Sequence, residues 1–246
     1  MKTPLIIAHR GAKGEAPENT MAAFELALQQ GCDAFELDIH LSKDGEMMVI
    51  HDDTVSRTTS GNGFVKDMTK EELQQLDAGS WFDSSYQGES IPTLREVFEL
   101  APANLMINVE IKGGISEGVE EKLLALLEEY DMYNQVVVSS FHFDSLRTLE
   151  RLNSNVKTGL LYSQNFARPE LLPDAAGVNA FSLHPYFISL EENDFSLVQK
   201  EGLQMYAWTV NEECAMNKLM EKGIDGIITD YPGRLRKLMD EKKVMR

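Results

Sequence analysis

The chain has 246 residues, 43% of them hydrophobic and 26% charged, a composition that supports a packed core and excludes a disordered chain. Its 40 acidic residues against 23 basic ones give a formal charge of −17, so phosphate backbones and anionic membrane surfaces are repelled and nucleic acid is not expected as a partner. No run of about 18 apolar residues is present to span a bilayer, and Leu5 to Ala8 is too short for the core of a secretory signal. A cytoplasmic protein acting on a small molecule is expected, and an anionic substrate would need positive charge inside its pocket.

In chain order, eight short apolar runs read as strands: Leu5–His9, Ala34–Ile39, Leu105–Ile111, Val136–Ser140, Thr158–Leu161, Ala180–Leu183, Gln204–Thr209 and Gly226–Thr229. Helical patterns alternate with them, which predicts an α/β fold of the (β/α)8 TIM-barrel type, for which about 250 residues is the usual size. Thr20 opens a helix that stops at Gly31, and Thr93 with Glu96 forms a capping box. Ser116 or Glu117 opens the amphipathic stretch Val119–Tyr130, Ser189 with Glu192 reads as a further capping box, and Asn211 as the cap of a helix ending near Gly223. Asp230 with Pro232 reads as the start of the last helix, whose basic end from Lys237 to Arg246 offsets the helix dipole.

One interval is too long for this rhythm. Residues of about 45–92 form a small insertion after the second strand, expected over one barrel mouth within a single domain spanning 1–246. Met47–Ile50 pairs back on the second strand through Lys43-Asp44-Gly45, where Asp-Gly favours a tight turn, and Thr69 begins a short helix. Cys32 and Cys214 have no ligand partners nearby and read as reduced core thiols.

Side chains at the carboxyl ends of barrel strands converge on one mouth. Glu36 and Asp38 stand two apart on a strand, pointing to one face about 6.6 Å apart along the chain, and Glu110 on the neighbouring strand adds a third carboxylate. Such a group repels itself unless a cation joins it, and all-oxygen ligation suits one divalent ion, Mg2+ or Ca2+. His9 and His51 emerge where apolar strands meet the mouth and can divide proton donation and removal between them. Arg10 and Lys112 are the candidate phosphate ligands, and Trp208 a candidate apolar wall, with Phe141 and Tyr186 at analogous strand ends. His40 is read as facing away from Asp38, and His142 and His184 at most as lining the mouth.

The blocks His9-Arg10-Gly11, Pro17-Glu18-Asn19-Thr20, Glu36-Leu37-Asp38, His51-Asp52, Glu110-Ile111-Lys112 and Trp208-Thr209-Val210-Asn211 resemble the glycerophosphodiester phosphodiesterases over essentially the whole chain. The resemblance implies a TIM barrel that hydrolyses glycerophosphodiesters, such as glycerophosphocholine or glycerophosphoethanolamine, to glycerol 3-phosphate and an alcohol. It implies that Glu36, Asp38 and Glu110 hold the divalent metal, that His9 and His51 are acid and base, and that Arg10 and Lys112 grip the phosphate. Two rival readings are a phospholipase acting on intact lipids and a noncatalytic sensor barrel.

Overall fold

The computed structural model describes residues 3–112 and 118–244. Strand β1 (Leu5–His9) runs parallel to β2 (Ala34–Leu41), and on from there through β4 (Met106–Ile111), β5 (Val136–Ser140), β6 (Lys157–Tyr162), β7 (Ser182–Pro185), β8 (Gln204–Ala207) and β9 (Gly226–Thr229). Parallel pairing of β9 with β1, Ile7 opposite Ile228, closes the sheet, so the eight parallel strands form a TIM barrel. The short strand β3 (Met47–Val49) lies antiparallel on the far end of β2, joined by a turn in which Gly45 takes φ +83, the left-handed region that glycine enters freely.

Helices return the chain between strands: α1 (Met21–Gln29), α2 (Lys70–Gln74), α3 (Leu94–Leu100), α4 (Val119–Glu129), α5 (Phe143–Leu152), α6 (Leu172–Ala176), α7 (Asp194–Lys200), α8 (Glu213–Glu221) and α9 (Pro232–Val244). Thr20 caps α1, and the boxes Thr69 with Glu72 and Thr93 with Glu96 both form, because they need only partners three residues apart. The residues named for the start of α4, Ser116 and Glu117, lie outside the described ones.

Ser189 and Asn211, both expected as caps, do not cap a helix. Ser189 ends a single 3-10 turn, Leu190 is extended, and α7 starts only at Asp194, whose carboxylate accepts from the Glu191 N–H at 2.8 Å. Asn211 lies two residues before the start of α8, and its side chain is taken up by Thr229 and Asp230 at the end of β9. Cys32 is half-buried and Cys214 is exposed, so the second is not a core thiol; both are free.

Alternation along the strands builds two apolar layers. Ile7, Ala34, Tyr206 and Ile228 fill the barrel interior, while Ile6, Phe35, Ile107 and Ile227 pack outward beneath the helices. The insertion has its own small core of Met48, Ile50, Val55, Val65, Leu73, Ala78 and Ile91. It leans on the segment after β1: Tyr86 Oη donates to the Glu15 carbonyl at 3.1 Å, and Arg57 reaches Glu18.

Candidate active site

Strand β1 runs into a tight turn at the barrel mouth. Arg10 and Asn19 both adopt left-handed backbone conformations, φ +54 and +56, which are costly for residues with a side chain and need over-determination by the surroundings. The Arg10 N–H donates to both the backbone carbonyl and the carboxylate of Glu36, and the Asn19 N–H donates to the Arg10 carbonyl at 3.0 Å. Gly11 is required next to Arg10, since a Cβ there would lie 2.6 Å from the backbone carbon of Ala23. This turn projects Arg10 into the mouth.

The acids expected to share one face do so. One carboxylate oxygen from each of Glu36, Asp38 and Glu110 lies within 4.8 Å of the others, and all three residues are buried. Asp38 is held well below the usual carboxylate range; burial opposes this, but Arg10 Nε at 3.1 Å and Lys112 Nζ at 3.3 Å outweigh it. Burial, and then the charge of Asp38, push Glu110 up to about 7, and Glu36 moves well up for the same reasons. A proton is thus retained among the acids near neutrality.

A divalent cation fits this donor set. All three ligands are carboxylate oxygens, and two ligands of one ion can lie about 4.2 Å apart for Mg2+ and about 5 Å apart for Ca2+. Among the described residues, Asp38 Oδ1 is buried and accepts no hydrogen bond, meeting only the charge of Lys112 Nζ at 3.3 Å, which leaves it with spare lone-pair capacity. A cation there would relieve the repulsion that raises Glu36 and Glu110.

Each mouth histidine is paired with a carboxylate. His9 Nδ1 lies 2.6 Å from Asp230 Oδ1, and His51 Nδ1 lies 2.6 Å from Asp52 Oδ1. An ionised carboxylate can only accept, so in each neutral ring Nδ1 carries the proton and Nε2 is left as an acceptor. Burial lowers both histidines, His9 to about 4, so both are neutral near pH 7. Asp230, expected to cap α9, does not: one oxygen takes His9, the other accepts from Asn211 at 2.7 Å, and α9 starts two residues later.

His9, Arg10, Glu36, His51, Asn108, Glu110, Lys112, Phe141 and Trp208 line one cavity of about 120 Å³. Lys112 donates to Glu110 at 2.7 Å, and Arg10 to Glu18 at 2.8 Å, so both cations are aimed by acids. Trp208 is fixed by a bond to the His184 carbonyl at 2.8 Å and packs edge-on against Phe141 and tilted against Tyr186, which forms an aromatic wall.

Of the remaining histidines, His40 is placed differently from expectation. His40 is two residues from Asp38, and a period of two returns it to the same face, where Nε2 bonds the His51 carbonyl at 3.1 Å. His184 is fully buried within β7 against Ser182 rather than at the mouth, and His142 is exposed just before α5. Sequence reasoning gave no role to Glu18, Asn19, Asp52 or Arg57. The first three lie in the quoted motif blocks; nothing local marks Arg57.

A (β/α)8 barrel whose carboxyl-end mouth gathers buried acids, two carboxylate-held histidines and two cations has the layout of a barrel enzyme's active site. The profile of the glycerophosphoryl diester phosphodiesterase family matches residues 9–234, and the chain belongs to that family. A glycerophosphodiester phosphodiesterase of Caldanaerobacter subterraneus subsp. tengcongensis is 45% identical over 97% of this chain and 98% of its own length. Among solved structures, the glycerophosphodiester phosphodiesterase of Agrobacterium tumefaciens superposes with a TM-score of 0.86 at 29% identity, covering 96% of this chain and all of that one. An Oleispira antarctica phosphodiesterase in complex with the product sn-glycerol-3-phosphate superposes with a TM-score of 0.85 at 34% identity, covering 96% and 97% of the two chains. The protein is accordingly an enzyme, a glycerophosphodiester phosphodiesterase. Among the described residues no helix is long and apolar enough to cross a membrane.

Proposed function

We propose that the enzyme hydrolyses small glycerophosphodiesters, such as glycerophosphocholine or glycerophosphoethanolamine, to glycerol 3-phosphate and an alcohol with the help of one divalent cation, Mg2+ or Ca2+. The observation that carries this reading is the single cavity lined by two buried acids, two carboxylate-paired histidines, Arg10 and Lys112. The Oleispira relative, bound to sn-glycerol-3-phosphate, supports the same product class.

In this reading Glu36, Asp38 and Glu110 hold the cation, which when bound supplies a Lewis acid that polarises a phosphoryl oxygen and lowers a hydroxyl pKa. Arg10 and Lys112 carry the charge that grows on the phosphoryl group, and Trp208 offers an apolar wall to the substrate's carbon skeleton. One histidine takes the proton of the glycerol 2-hydroxyl, which attacks the adjacent phosphorus to give a five-membered cyclic phosphate. The other histidine protonates the departing alcohol. Their roles exchange when water opens the ring, which accounts for two histidines rather than one. The insertion of about residues 45–92 serves as a cap on a single barrel domain.

The reading is tested by coupled assays for glycerol 3-phosphate and for choline, over glycerophosphodiesters and intact phosphatidylcholine, with and without chelator. Chelator-sensitive release from the water-soluble diesters is expected. Release from phosphatidylcholine alone, or unchanged release in excess chelator, refutes it.

A further inference from the structure

We infer that Arg57, on the insertion, is a positioning residue for the reaction: its guanidinium ties Asp52 to Glu18 and so aims both His51 and Arg10 into the cavity. The inference rests on the proposed role of His51. Arg57 Nε and Nη2 donate to the two oxygens of Asp52 at 2.6 and 3.0 Å, while Nη1 and Nη2 donate to the two oxygens of Glu18 at 3.0 and 2.8 Å. Each carboxylate then passes the constraint inward, since Asp52 Oδ1 also holds His51 Nδ1 and Glu18 Oε1 also accepts from Arg10 Nη1. One cation thus links a residue of the insertion with two side chains that line the cavity.

The exposed pair of Arg57 with Asp52 contributes little to stability by itself, and the buried Glu18 keeps Arg10 as a second cation, which makes a purely structural reading weak. What Arg57 supplies is geometry. Two forked pairs fix the planes of both carboxylates, and among the described residues Asp52 has no partner besides Arg57 and His51. Asp52 is drawn down to about 2, chiefly by its bond to Arg57, and Glu18 reaches about 2 against its own burial, again with Arg57 as the main partner. Without Arg57, Asp52 is free to turn toward water, and His51 loses the acceptor that fixes its tautomer and ring plane. Arg10 keeps Glu18, so binding suffers less than turnover. A lysine supplies charge but no fork and cannot span both acids.

The test is steady-state kinetics of R57A, R57K, D52N, the double variant R57A/D52N and H51A in the full-length enzyme, with thermal melts of each. R57A is expected to lower kcat about 10- to 100-fold with KM changed far less, the usual scale for partners that orient a functional group. R57K is expected not to restore it, and low-millimolar guanidinium, but not ammonium at equal ionic strength, is expected to rescue R57A. If Arg57 acts through Asp52, adding R57A to D52N costs little more than D52N alone. Wild-type kcat in R57A beside an inactive H51A overturns the inference alone, as do additive losses in the double variant or full recovery by R57K. Wild-type turnover in H51A removes the role of His51 and the inference with it. If R57A does not fold, R57K with guanidinium rescue and the D52N cycle on R57K decide by the same outcomes.

Discussion

Glu110→Gln separates the electrostatic cost of the acidic cluster from its use. Glu110 is buried beside Asp38, and its proton affinity rises from the ordinary 4.5 to about 7. At about 1.4 kcal/mol per tenfold change in proton affinity, keeping it ionised in the metal-free fold at pH 8 costs about 3 kcal/mol. Because the folded-state affinity is raised, this stability is fully present below about pH 4.5 and is lost as pH climbs through about 7. Glutamine mimics the protonated acid and removes the cost at high pH. The charge-assisted bond from Lys112 opposes the rise and is already contained in that figure, so the net gain at pH 8 is about 3 kcal/mol, or about 6–12 °C in Tm for a chain of this size. Thermal melts of wild type and variant in chelator from pH 5 to pH 8 measure this; Glu36, raised in part by the charge of Glu110, shifts the difference in the same direction. The variant is expected to match the wild type at pH 5, to exceed it at pH 8 and to gain less from divalent ions than the wild type, which gains about 2.7 kcal/mol at one hundred times its dissociation constant. A variant less stable than wild type at pH 8, or a difference independent of pH, refutes the reasoning.

Glu36→Gln and Asp38→Asn are each expected to weaken divalent binding and to reduce turnover strongly, as does chelator on the wild type; elemental analysis and titration calorimetry check this, and full activity without bound metal counts against it. His9→Ala and His51→Ala should each lower kcat by about two to four orders of magnitude with little loss of Tm, and near-normal turnover in either reassigns that residue to packing. Asp230→Asn should lower kcat about 10- to 100-fold by releasing the His9 ring, with metal affinity unaffected in calorimetry. A 2-deoxy analogue of glycerophosphocholine should bind but turn over very slowly, and hydrolysis at the parent's rate would replace the internal nucleophile with water.

The closed barrel was legible because strand signals are local: an apolar run such as Val136–Ser140 or Gly226–Thr229 declares itself within five residues, and both appear with those bounds. The hairpin at Gly45 and the boxes at Thr69 and Thr93 were legible for the same reason, since their bonds join residues a few positions apart. The acidic face was legible from a period of two on β2 and one facing residue on β4, with Asp38 opposite Glu110. Bonds between distant segments were not. Asp230 lies 221 residues from His9, and only the pairing of β9 with β1 turns an apparent helix cap into a partner for that ring. Asn211, taken for a cap, is drawn onto the same carboxylate by closure of the barrel. Arg57 sits in a polar loop with no pattern around it, and its importance arises from the insertion folding back until one guanidinium meets acids from two separate segments. Sequence patterns therefore determined the strands and the acidic face, whose periods are written in neighbouring residues. Tertiary structure alone decided which carboxylate holds which histidine and cation, because a polar side chain takes its partner from whatever the closed chain brings within about 3 Å.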